Sequence, residues 1–312
     1  MARTKFILQR VIQLVPLLLG VMLVSFLLLR LSPGDPAQIL LGPRATPEQL
    51  VAKRAELGLD KNLVTQFGTY VGHVARGDLG DSIRAHKPVT TVISDRLEVT
   101  LWILTGTIVL SLVIAVPLAI LAARKPHGVL DQATRGLSML GFSLPTYWVG
   151  IMLILVVAVP TGWFPVQGFG KGAWGHLRAV VLPCLTLAVA MAPVLLRSLR
   201  SAILDVLASD HITTAQSLGW RGWPLYRDHV MRNAIPPVVT LLALQIGFLL
   251  FGTVIVEQIF RLPGLGQGMV NAVVARDFPV VQGITLVFAV LVVFTQLVGD
   301  LIHGALDPRI TE

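Results

Sequence analysis

Residues able to carry chemistry are sparse in this 312-residue sequence, and their placement narrows what the chain can do. Transport coupled to protons or sodium usually puts a carboxylate or histidine near the bilayer midplane, at about 2.5 to 3.5 kcal/mol on insertion scales. The long apolar runs contain no Asp, Glu, Lys, Arg or His. Their polar midspan candidates, Gln13, Gln245 and Gln296, suit either a pathway lining or hydrogen bonds between helices. Ion-coupled carriage is therefore disfavoured, with backbone carbonyls left as a means of holding sodium. A phosphate-cradling loop needs Gly-x-x-x-x-Gly-Lys-Ser/Thr, and Gly170-Lys171-Gly172 lacks the first glycine and the hydroxyl residue. Energy from ATP would have to come from another chain. The rival readings are a stand-alone channel and an intramembrane hydrolase, the latter with Ser138 of Gly136-Leu137-Ser138 as nucleophile and His303 as base. That triplet is too common to be specific, His303 falls beyond its apolar run, and no His-Glu-x-x-His zinc motif is present. Cys184 is the single cysteine, which excludes an internal disulfide and a thiolate metal site and leaves a small packing residue.

The elements that must position these residues are membrane spans. Apolar residues make up 54% of the chain and charged residues 13%, about half the charged share of a soluble domain. The formal charge of +8 suits cytoplasmic membrane flanks better than nucleic acid, because no basic run is interleaved with aromatics. A hydrocarbon core of about 30 Å needs roughly 20 apolar residues, and 11–29, 99–123, 137–159, 179–196, 234–256 and 279–298 qualify. Arg3, Lys5 and Arg10 precede the first run, which is too long for a signal sequence and reads as a retained span. With the N-terminus inside, the inner segments hold twelve Lys and Arg residues, among them Arg124, Arg135, Arg200 and Arg227. The short outer loops hold only Lys171, Arg178, Arg261 and Arg276, so both termini are placed in the cytoplasm. The expected fold is all-α: residues 1–30 as N-terminal segment and first span, 31–98 as a small extracytoplasmic cap, and 99–312 as a five-helix core. Within the cap, helical patterning runs near Thr46 to Leu57 and Gln66 to Val74.

The 37-residue connection 197–233 is amphipathic, and its centre reads as a short rigid helix. Asp210 is a good N-cap and Gly219 a good stop, with Ile212, Ala215 and Gly219 at helical spacing. Trp220 and Trp223 suit a protein interface or anchoring at the membrane surface. Pro224 opens a second helix expected to run to Asn233, ahead of Pro236 and Pro237.

Several segments, in order, resemble the inner-membrane permease subunits of ABC importers for dipeptides, oligopeptides and nickel. They are Leu31-Ser32-Pro33-Gly34-Asp35-Pro36, Ser143-Leu144-Pro145-Thr146-Tyr147-Trp148-Val149-Gly150, Gly162-Trp163-Phe164-Pro165 and the loop Ala215-Gln216-Ser217-Leu218-Gly219. His229-Val230-Met231-Arg232-Asn233, the run Val256 to Gly266 and Leu306-Asp307-Pro308-Arg309 complete the set. The resemblance implies a non-catalytic, multi-pass subunit of a bacterial or archaeal inner membrane that carries no cofactor and no metal. ATP and Mg would sit on one or two cytoplasmic ATPases, and the other partners are a homologous second permease and an extracytoplasmic binding protein. It implies ATPase coupling through Asp210, Thr213, Ala215, Gly219, Trp220 and Trp223, and a pathway or gate using Pro145, Gln245, Glu257 and Gln296. The chain departs from the family at Thr213, where many members have Arg and the wider class Glu, and at Gln296 and His303, where Asn and Tyr are expected. Peptides are the implied substrate class, with nickel, glutathione or another peptide-sized solute as alternatives.

Overall fold

The structure, a computed structural model, describes residues 15–27, 36–41, 45–56 and 58–306. Gln13, residues 31–35 and 307–309, the basic residues Arg3, Lys5 and Arg10, and the side chain of His303 lie outside that set. Among the described residues the fold is helical, with one isolated β-bridge between Asp81 and Pro88. The helices are α1 (Val15–Leu27), α2 (Pro36–Leu41), α3 (Pro47–Glu56), α4 (Leu63–Ala75), α5 (Val89–Arg124) and α6 (Val129–Ser143). They continue as α7 (Thr146–Thr161), α8 (Gly172–Leu207), α9 (Asp210–Ser217), α10 (Gly222–Ile259), α11 (Leu265–Ala275) and α12 (Phe278–Leu306).

Four of these, α5, α8, α10 and α12, are long and apolar enough to cross a membrane, and α6 with α7 makes a fifth if that bent pair is one span. The apolar run 137–159 is thus not one straight helix, because α6 and α7 meet at 102°. Leu144 and Pro145 are both extended, which follows from the bias against helix before proline. Pro145 accordingly caps α7, whose first helical residue is Thr146. The predicted helix end at Asn233 is also replaced: α10 runs through Pro236 and Pro237, with a π-helical turn at Tyr226–Val230 just before them. Most of the 197–233 connection consists of the ends of α8 and α10, so the true link is short.

Two compact units are present. The larger, Leu97–Gln267 with the segment from Val292, is organised around α8, which is buried along most of its apolar length. Glycines let neighbouring helices approach it closely: a Cβ at Gly106 would lie 2.6 Å from Cys184 Sγ, and one at Gly141 2.7 Å from the Val189 carbonyl. The Cys184 thiol donates to the Ile103 carbonyl at 3.5 Å, the packing role its apolar context implied.

The smaller unit comprises the N-terminal residues to Arg96 and Gly268–Leu291. Thr46 and Gln49 form a reciprocal capping box at α3, and Asn62 Oδ1 accepts from Thr65 N–H at the start of α4. Helices α3 and α4 therefore fall close to the two stretches of helical patterning. Phe26 packs against Phe67 and Tyr70, with ring centroids 5.6 and 6.2 Å apart. At the next turn, hydrogen bonds from His73 and from Gly80 N–H hold the Asp78 carboxyl below its ordinary range.

Candidate coupling segment and the groups around it

The link from α8 to α10 is built from strong local signals. Ser209 is extended and is the residue before α9, so it takes the N-cap position assigned to Asp210. Asp210 is instead the first helical residue, where its charge faces the positive end of the helix dipole. At the other end Gly219 adopts φ +91°, Gly219 N–H donates to the Gln216 carbonyl, and Trp220 N–H donates to the Ala215 carbonyl at 3.1 Å. These paired bonds around a left-handed glycine are a Schellman stop. The result is an eight-residue helix fixed at its C-terminal end between two long helices.

Its faces divide differently from the sequence expectation. Ile212 and Ala215 are buried, 1% and 4% exposed, so Ala215 belongs to the inward face of this chain. Gly219 lies beyond the helix, in open space. Thr213, Gln216 and Ser217 are exposed, and Leu218 is 76% exposed with Trp223 at 54%. Trp220 meets His229 edge-to-face at 4.7 Å, which ties the stop to the π-helical turn of α10. The outward surface is thus an apolar patch of Leu218, Trp220 and Trp223 beside the hydroxyl face of α9.

Sequence reasoning missed a neighbouring charge cluster. Asp131, at the start of α6, is fully buried, with Arg200 of α8 placing Nε 2.5 Å and Nη2 2.8 Å from its carboxylate oxygens. Arg135 Nη2 lies at 3.1 Å and His127 N–H donates at 3.0 Å. Arg135 and Arg200 counted in the sequence only as topology signals. The available clue was a lone acid in a segment otherwise rich in Lys and Arg.

The four pathway candidates do not converge. Gln245 lines a cavity of about 220 Å³ with Thr146, Met191 and Gly252, and Pro145 positions Thr146 there as the residue starting α7. Gln296 is exposed on α12. Glu257 is fully buried near the end of α10 and acts as a structural acceptor. Thr100 Oγ1 donates to its Oε1 at 2.8 Å and Gln267 N–H to its Oε2 at 2.8 Å, while Leu265 N–H donates to Thr100. These bonds satisfy orphan donors at the start of α11. A Cβ at Gly264 would collide with the Glu257 carboxyl, and one at Gly266 would lie 2.5 Å from Val254 Cα, so this loop can close only over glycines. Among the described residues no group of three His, Cys, Asp or Glu could hold a metal.

Among the described residues, long apolar helices surround a buried central helix, α8, and a capped link joins α8 to α10. The fold is similar to that of a chain of the inward-facing MetNI methionine ABC transporter, with TM-score 0.58 at 19% identity, covering 69% of this chain and 96% of that one. The family described as "Binding-protein-dependent transport system inner membrane component" matches residues 115–312, and its N-terminal counterpart matches 3–104. The chain belongs to this family, the non-catalytic, multi-pass permease subunits of ABC importers. It is 37% identical over 305 residues to the glutathione transport system permease protein GsiC of Salmonella typhi, covering 98% of both chains. It is 35% identical over 314 residues to the oligopeptide transport system permease protein AppB of Bacillus subtilis strain 168, again with 98% of each covered.

Proposed function

We propose that this subunit forms half of a translocation pathway for peptides or similar peptide-sized solutes, and that α9 seats its outward face in a groove of a cytoplasmic ATPase. The relatives named for glutathione and oligopeptide transport support the substrate class. The observation that carries the coupling role is the Schellman-stopped α9 held between α8 and α10, with Leu218, Trp220 and Trp223 facing outward. A stiff link is what the task requires, because closure of ATPases outside the membrane must become rigid-body movement of spans instead of loop deformation. ATP and Mg bind the partner ATPases, one or two in number. A homologous second permease completes the pathway and an extracytoplasmic protein delivers the solute. Both termini are cytoplasmic and the segment 31–98 is the extracytoplasmic cap, on the strength of the Lys and Arg bias.

The burial of Ala215 changes the choice of test. Substitution there would disturb this chain's own packing, whereas Leu218 can be altered without touching the core. Leu218→Asp in the reconstituted complex should abolish substrate-stimulated ATP hydrolysis and peptide uptake while membrane yield stays normal. Near-normal stimulation in that variant would reduce α9 to a surface turn.

A further inference from the structure

The cavity that Gln245 shares with Thr146 lies wholly within the larger unit, in the apolar runs 137–159 and 234–256. Gln245, Phe248, Leu249 and Gly252 recur at three- and four-residue spacing, so a single face of α10 lines it. From α8 come Leu187 and Met191, one turn apart and each 4% exposed. Gly252 lets these helices close together, since a Cβ there would lie 2.7 Å from Leu187 Cδ2.

Two polar side chains in this lining are unspent. Neither the Gln245 carboxamide nor the Thr146 hydroxyl has a hydrogen-bond partner among the described residues. Elsewhere in the spans Ser138, Thr186 and Thr253 return their hydroxyls to carbonyls three or four residues back in the same helix. Thr146 has no such acceptor, because it is the first helical residue of α7 and the chain before it is extended at Leu144 and Pro145. The break between α6 and α7 thus delivers a free hydroxyl to the cavity. A lipid acyl chain in this space would leave both groups unpaired away from water, which disfavours lipid as the occupant. Among the described residues no charged side chain lines the cavity, so it offers nothing to an ionised terminus. A carboxamide carries a donor and an acceptor, and so does every peptide unit, which permits a two-point pairing between them. The volume of about 220 Å³ is below the roughly 300 to 1,000 Å³ of sites that enclose a whole ligand, and so suits one segment of a longer solute. Met191 adds a flexible, adaptable wall for whatever side chain flanks that segment.

We propose that this cavity reads the backbone of the transported solute: the Gln245 carboxamide accepts the N–H of one peptide unit and donates to its carbonyl, and the Thr146 hydroxyl donates to a carbonyl of the same segment. The proposal rests on the peptide reading above and names the chemical group that the permease itself recognises. Recognition of this kind is indifferent to side chains and to terminal charge.

The test uses the whole transporter complex in lipid discs with the binding protein omitted. It is titrated with alanylalanine and with alanyl-lactate, which has the same termini but an ester oxygen in place of the peptide N–H. The wild-type complex should bind the dipeptide at least about fivefold more tightly, the effect of leaving one hydrogen-bonding group unpaired. Gln245→Met should erase that preference. Thr146→Val should weaken both ligands alike, by about two- to tenfold, and leave the preference intact. Neither side chain has a partner to lose within the chain, so both variants should assemble in normal yield. Equal binding of the two ligands by the wild type, no binding of either, or an undiminished preference in Gln245→Met would overturn the proposal. Loss of permease pairing in Gln245→Met, read by native mass spectrometry, would also overturn it by assigning the carboxamide to an interface with the second permease. Failure here is distinct from failure of the transport reading: a complex that carries no peptide sinks that reading, whereas peptide uptake alongside equal binding of dipeptide and ester sinks only the cavity assignment.

Discussion

Removal of Asp131 should be among the most damaging single changes in the chain. Its carboxylate is fully buried and meets Arg200 through two guanidinium nitrogens, Nε at 2.5 Å and Nη2 at 2.8 Å. The Arg200 side chain is itself only 15% exposed, so truncating the acid leaves a cation largely shut off from water. Breaking such a pair from one side typically costs about 3 to 5 kcal/mol, which is two to nearly four orders of magnitude in the unfolding equilibrium. Arg135 offers little relief: its side chain is 51% exposed, and a pair of that kind contributes about 0.2 to 1 kcal/mol. Asp131→Ala should therefore destabilise strongly and Arg135→Ala hardly at all. Replacing both charges, as in Asp131→Leu with Arg200→Met, should recover most of the loss, since a well-packed apolar pair often matches a buried ion pair. The measurement is denaturant unfolding in mixed micelles followed by helical circular dichroism, run as a double-mutant cycle. Losses that simply add in the double variant, or an Asp131→Ala loss below about 1 kcal/mol, would show that the two groups do not act as a pair.

The Glu257 loop gives a second expectation. Glu257→Gln should cost about 1.5 to 3 kcal/mol, because Thr100 Oγ1 and Gln267 N–H are both donors and an amide nitrogen must face one of them. Gly264→Ala should cost about 1 to 3 kcal/mol by overpacking against the Glu257 carboxyl, and micelle unfolding midpoints check both values. Topology is tested by labelling: Cys184 is buried, so a cysteine introduced at exposed Gln216 should react only from the cytoplasmic side and one at exposed Ala55 only from outside. The reverse pattern would invert the proposed orientation.

What could be read from sequence followed the range over which each signal acts. Helix stops and caps are local, so Gly219 was identified as the stop of α9, and α3 and α4 emerged from patterning around Thr46 and Gln66. The N-cap slipped by one residue because Ser209 and Asp210 are both good capping residues, and side-chain chemistry alone does not rank neighbours. The 102° bend ahead of Pro145 was not foreseen, because how far a chain turns depends on whether the next helix has somewhere to pack, which no local pattern states. Pro236 and Pro237 misled in the opposite direction, since an apolar environment keeps a helix whole where water would let it end. The partners Asp131 with Arg200 and Glu257 with Thr100 are 69 and 157 residues apart, and nothing in either neighbourhood names the other. The spacing paired Ile212 with Ala215 on one face correctly, but it counted Gly219, which lies beyond the helix, and it did not say whether that face turned inward or outward.

The length of α8 has a mechanical meaning. Its apolar run ends near Leu196 while the helix continues to Leu207, so 11 residues, or roughly 16 Å at 1.5 Å each, project past the hydrocarbon as a lever. A 10° tilt of the buried part then swings the tip by about 3 Å, roughly the step between adjacent residues along an extended chain. Because α9 fastens that tip to α10, the two projecting ends form a closed truss in which neither can swing without loading the other. On the coupling role proposed for α9, slack introduced anywhere in the truss should appear as ATP hydrolysis without transport.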